Sequence, residues 1–292
     1  MTRWSRIWTM ITKSKSDYIK NPIYLSYTSL KDFLKCPRSY YLKDLYKDPK
    51  NNFRLQIASP HLTLGSTVHD SVKWFLDMQG QATKDQVINK FRNFWLKFRG
   101  KRGGFSSDEE EGNFGRRGLA MMENFFKNWQ ILEKAAPEIT FPKLNLVEDI
   151  ILIGNFDYIG EREDGSLHVV DFKTGANDED DPTQLYIYAI LAEANLGKSV
   201  SAAGFWYLDR EDAPRDIVLD PLEDKLKWVI EKGKELKQAL EKNEWVCIKG
   251  GPAPDGAGLC RDCRDYQAIL DGKGEFQFSD HRYKKDIYFL PR

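Results

Sequence analysis

Residues 155–174 read NFDYIGEREDGSLHVVDFKT, two alternating runs rich in aromatic and β-branched residues, joined at Glu163-Asp164-Gly165. Such runs favour strands, and a three-residue loop with glycine in the left-handed conformation is a common hairpin connection. A hairpin turn fixes the register, and the register fixes what faces what. With Arg162 paired to Ser166, counting outward sets Asp157 opposite Asp171. Directly opposed residues have Cβ atoms about 5 Å apart, a spacing at which two carboxylates repel unless a cation lies between them. Lys173 shares that face with Asp171, while Phe156, Tyr158, Val170 and Phe172 fall on the other. The hairpin is therefore expected to separate two acids and a lysine from an apolar underside.

This residue set matches a chemical need. Phosphodiester hydrolysis requires a hard divalent cation to activate water and to neutralise charge building on the phosphate, with a positive group beside the attacking oxygen. An isolated Asp-x-Lys triplet also arises by chance at solvated strand ends. The spacing to Asp157 and the apolar underside favour the site.

Elements along the rest of the chain can be read from periodicity and punctuation. Ser29, with Asp32 three residues on, resembles a cap that opens SLKDFLKCPRSYYLKDLY, a helical pattern interrupted by Pro37. Helices are expected over Leu64–Met78, Thr83–Lys101 and Arg116–Lys134, with GGFSSDEEEGNFG as a mobile loop between the last two. The strands LVEDIILIG, NFDYIGER and SLHVVDFKT would form an antiparallel meander. A helix from Pro182 to Gly197, the strand VSAAGFWYLD and a charged helix over Leu222–Lys242 follow. This order predicts an α/β fold of the mixed α+β kind, with a central mixed β-sheet flanked by helices.

With 41% hydrophobic and 30% charged residues, 292 residues can bury a sizeable core. No run approaches the roughly 18 to 20 apolar residues of a membrane span, and MTRWSRIWTMITKSKSDYIK carries charges too often for a secretory leader. A cytoplasmic location with no membrane partner is the expectation. Forty-four basic residues balance forty-four acidic ones, so any attraction for nucleic acid must be local. Aromatic and cationic residues alternate in RSYYLK, where Arg38, Tyr40 and Lys43 are candidate DNA contacts, and from Lys90 to Arg102. The mixture suits a single strand, whose bases stack and whose phosphates take cations. The second stretch reads equally as an amphipathic helix with Phe91, Phe94, Trp95 and Phe98 turned inward.

Five segments in order carry a resemblance. Cys36-Pro37-Arg38, Gly65-Ser66-Thr67-Val68-His69, Gly154-Asn155-Phe156-Asp157, Val170-Asp171-Phe172-Lys173-Thr174-Gly175 and Gln184-Leu185-Tyr186-Ile187-Tyr188 resemble the motifs of RecB-like nucleases of the PD-(D/E)XK superfamily. The resemblance implies a restriction-endonuclease-like core over residues 23–270, between an N-terminal extension, 1–22, and a C-terminal tail, 271–292. It implies a deoxyribonuclease, commonly an exonuclease, acting on single-stranded or end-bearing DNA in repair, recombination or phage and CRISPR DNA processing. Asp157, Asp171, the Phe172 carbonyl and His69 would bind Mg²⁺ or Mn²⁺. Lys173 would position the attacking water, and Gln184 and Tyr188, on one helix face, would orient the lysine or contact DNA. Glu148 would be a further acidic partner. The rival reading is a non-catalytic subunit that holds DNA ends for a helicase-nuclease complex; the joint presence of Asp157, Asp171 and Lys173 argues against it.

The four cysteines, Cys36, Cys247, Cys260 and Cys263, include one C-x-x-C pair. In a cytosolic chain a metal or cluster site is the sharper reading, and disulfides the weaker. Some relatives, among them CRISPR-associated nucleases, hold a 4Fe-4S cluster with one cysteine in the CPR segment and three near the C-terminus. They place the last cysteine about six residues beyond the pair, where this chain has Ile269. Cys247 in the 247–263 segment is the substitute ligand for a cluster, with Zn²⁺ or no metal as alternatives.

Overall fold

The structure is a computed structural model that describes residues 22–147, 149–249 and 258–291. At its centre a five-stranded sheet runs in the order β3 (Lys134–Ala135), β6 (Tyr158–Glu161), β7 (Leu167–Lys173), β8 (Val200–Tyr207) and β9 (Arg215–Ile217). β7 and β8 are parallel and the other pairs antiparallel. The parallel pair needs a crossover, supplied by α6 (Thr183–Leu196). Buried residues occupy the whole circumference of this helix, from Leu185 to Ala192, and it stops at Gly197, whose φ of 66° caps it.

Both faces of the sheet are covered. On one face Leu167 and Val169 join a core with α1 (Tyr27–Lys35), α6 and α7 (Leu222–Lys242). That core also includes the small sheet β1 (Ile23–Leu25), β5 (Ile150–Ile153) and β4 (Lys143–Val147). On the other, Val170, Phe172 and Trp206 pack against α3 (Pro60–Asp77), α4 (Lys84–Trp95) and α5 (Asp108–Asn128). The mixed α/β architecture is the expected one. The acid-bearing face is not open to solvent, however, because α6 lies over it.

The hairpin register is as counted: Gly165 has φ 79°, the Arg162 N–H donates to the Ser166 carbonyl, and Tyr158 pairs with Val170. Several other expectations are corrected. β4 is antiparallel to β5 and β5 is taken up by β1, in a sheet apart from β6 and β7, so these strands do not form one meander. Asp108 to Glu111 form the first turn of α5, which extends from Ser107 as cap to Asn128. Four acids there face the positive end of the helix dipole. α3 starts at Pro60, and α4 ends at Trp95, where short 3-10 turns take over. The cap of α1 is Ser26, with Ser29 as its reciprocal partner. Pro37 does divide the first helix, starting α2 (Pro37–Tyr40). Residues read as a C-terminal tail form β10 (Glu275–Asp280) and β11 (Lys285–Phe289), and β11 pairs in parallel with β2 (Arg54–Ile57). Among the described residues no helix is long and apolar enough to cross a membrane.

Candidate active site

The residues chosen from the hairpin converge with those chosen from the resemblance. Asp157, one residue ahead of β6, is level with Asp171 because Tyr158 pairs with Val170. His69 comes from α3, and Gln184 and Tyr188 from the first two turns of α6. His69 Nδ1 lies 2.9 Å from Asp157 Oδ1, and the Phe172 N–H donates to Asp157 Oδ2 at 2.9 Å. Lys173 Nζ lies 2.9 Å from Asp171 Oδ2 and donates to Gln184 Oε1 at 2.7 Å. The Gln184 amide donates to Asp171 Oδ1 at 2.8 Å and to the Tyr188 hydroxyl at 3.1 Å. One glutamine therefore orients the lysine, the carboxylate and the tyrosine together.

Electrostatics follow from burial. Asp171 is 3% exposed, and desolvation, reinforced by the Asp157 carboxylate, raises its pKa well above the carboxylate range despite Lys173 and His69. Burial alone would lower the His69 pKa, but the Asp157 carboxylate outweighs it and raises it. Burial, with Asp171 nearby, also raises the Tyr188 phenol. A buried and a partly buried carboxylate beside an imidazole are a donor set that fits a hard divalent cation, which would offset the desolvation and the repulsion that together hold the Asp171 pKa up.

Three neighbours were not evident in the sequence. Glu179 Oε1 stands 3.9 Å from Lys173 Nζ, and Glu179 is tethered through its N–H to the Tyr207 hydroxyl at 2.8 Å. The Phe205 ring lies 4.7 Å from Lys173 Nζ. Arg117 of α5 donates to the Thr174 carbonyl at 3.3 Å. Glu179 sits in the polar run NDEDD, which reads as an ordinary loop, and only the fold brings it to the lysine.

Other candidates lie elsewhere. Tyr40 is 4% exposed and packs on Phe33 and Trp245. Lys43 bridges Asp32 and Asp262 at 2.9 Å each, and Arg38 donates to Gln267. A phosphate would have to compete with two carboxylates for Lys43. In the Lys90–Arg102 stretch Phe91 and Trp95 are buried, while Lys90 and Lys97 lie over the Phe94 ring. Glu148 lies outside the described residues.

The cysteines meet at a second centre. Cys36, Cys247, Cys260 and Cys263 are all buried, and their Sγ atoms lie within 4.8 Å of one another. A 4Fe-4S cube holds its four thiolates roughly 6.5 Å apart. The sulfurs as placed are too close for it, and no role in the reaction is derived through a cluster.

A crystal structure from Eubacterium rectale, provisionally described as an exonuclease, is similar at a TM-score of 0.48 and 14% identity, over 82% of this chain and 87% of that one. No curated protein matches the chain. The family model of the PD-(D/E)XK nuclease superfamily matches residues 24–269, which hold the hairpin, α6 and the His69 helix. The chain belongs to the PD-(D/E)XK nuclease superfamily.

Proposed function

We propose that this chain is a RecB-like deoxyribonuclease that uses Mg²⁺ or Mn²⁺ and degrades DNA from an end. The observation that carries the reading is the junction at Gln184, which ties Lys173 to Asp171 beside Asp157 and His69. Asp157, Asp171, His69 and the Phe172 carbonyl would hold the cation, which when bound supplies an activated water and neutralises phosphate charge. Lys173 Nζ is held beside the carboxylates by the Gln184 carbonyl and the Phe205 ring, so the attacking oxygen meets a preoriented cationic group. Tyr188 and Gln184 hold that orientation from α6.

Two clefts along α3 support a strand as substrate. Leu62, Ser66 and Asp70 line one of about 300 Å³, facing Arg102, Phe278 and Lys285. Lys73 and Asp77 line another of about 360 Å³ that reaches Asp157. His69 lies between them on the helix, so a strand following α3 would bring one phosphate to the site. Arg102, 4.4 Å from the Phe278 ring, offers a cation and an aromatic together.

End dependence is tested with labelled linear and circular single-stranded DNA in Mn²⁺, beside an RNA of the same sequence. Loss of linear DNA with the circle left intact is expected. A circle cut as fast as the linear strand contradicts the exonuclease reading, and RNA degraded in preference contradicts the substrate.

A further inference from the structure

We propose that Cys36, Cys247, Cys260 and Cys263 hold one zinc ion in a tetrahedral four-thiolate site, in place of the iron-sulfur cluster of the relatives this chain resembles. The spacing is the first reason. Zn–S bonds of about 2.3 Å put tetrahedral sulfurs about 3.8 Å apart. Here all four Sγ atoms lie within 4.8 Å of one another, and Cys36 and Cys263 are 3.6 Å apart. To admit a cube each sulfur would have to retreat by roughly 1.7 Å from the common centre.

The surroundings oppose that retreat. Cys36 is fixed at the break between α1 and α2 by Pro37, while Cys260 caps α8 (Arg261–Leu270) and Cys263 lies in its first turn. Leu42, Leu55, Tyr266 and Ile269 pack round the thiols. Asp262, between the two α8 cysteines, takes Lys35 and Lys43 at 2.9 Å each, and Arg38 donates to Gln267. Moving α8 away from the first helices to enlarge the site would break these pairs.

The chemistry is also complete. These are all the cysteines of the chain, so the site has its four ligands and leaves none over. The Cys260 N–H already donates to Cys247 Sγ at 3.2 Å, a bond that favours the thiolate a metal requires. Binding exchanges the thiol protons, released to solvent, for Zn²⁺, and joins α8 to the first helices.

The test is metal analysis of the full chain purified without oxygen. About one zinc per chain is expected, released by a mercurial in step with four thiols, with no iron, no sulfide and no absorption near 400 nm. Cobalt exchanged for the zinc should give intense tetrahedral bands at roughly 650–750 nm. Asp171→Asn, altered at the other centre, should keep its zinc, whereas Cys260→Ser should lose it. About four irons with matching sulfide, or a folded wild-type chain without bound metal, overturns the proposal whether or not the cysteine variant folds.

Discussion

His168 sits in the middle of β7 with both ring nitrogens held, Nδ1 by Glu133 and Nε2 by Asp216 at 2.8 Å. Both carboxylates reach it over glycines: a Cβ at Gly160 would meet Glu133 at 2.9 Å, and one at Gly204 would meet Asp216 Oδ1 at 2.5 Å. Burial alone would lower the His168 pKa, but Asp216 and Glu133 raise it above 6.5. Burial would raise Glu133, but its hydrogen bonds, His168 among them, bring it below 4.5. The histidine's contribution is therefore fully present below 6.5 and lost as pH rises through its higher folded value. That of Glu133 is present above 4.5 and lost as pH falls through its lower folded value. The gap in Tm between the parent and His168→Gln should be widest near about pH 5.5 and narrow toward about pH 9. A gap that does not change with pH would mean a neutral His168. Nothing in SLHVVDFKT distinguishes this histidine from an ordinary strand residue, whereas Asp157, Asp171 and Lys173 are legible because turn and alternation fix their faces. His69, Gln184 and Tyr188 are legible only through motif order.

At the scale of elements, α6 is readable because Pro182 and Gly197 bracket an unbroken apolar run. Of α5 only the part from Arg116 on is readable, because its first turn is all acid and three glycines dilute its periodicity. One of these, Gly118, is where α5 crosses α4: a Cβ there would stand 2.3 Å from Phe91 and 3.0 Å from Leu64. Gly118→Val should therefore destabilise the fold by about 1–3 kcal/mol, measured by denaturant unfolding. An unchanged midpoint would show that the helices are not packed this closely. The meander failed as an expectation for a related reason. Alternation identifies strands, but which strand accepts β5 is decided by β1, more than a hundred residues earlier in the chain.

At the scale of the whole molecule, the C-terminal strands pack back on the first third of the chain. β11 pairs with β2, Lys285 donates to Gln56 at 2.8 Å, and Lys101 meets Glu275 at 2.7 Å. Such pairings have no local signal, which is why residues 271–292 read as a tail. Deleting residues 274–292 should lower Tm and, by removing Phe278 and Lys285 from their cleft, raise KM for oligonucleotides. Hydrolysis of a small phosphodiester such as bis(4-nitrophenyl) phosphate should change far less. An unaltered KM and Tm would separate the hairpin from both fold and substrate. The central claim, that the junction of Lys173, Asp171, Asp157 and His69 cuts DNA with a divalent cation, is tested most directly with labelled linear DNA and Mn²⁺. The parent and Lys173→Ala are compared with and without chelator. The parent should degrade the DNA, stop on chelation, and lose on the order of 100-fold or more in rate when Lys173 is replaced. Equal degradation by parent and variant would contradict it.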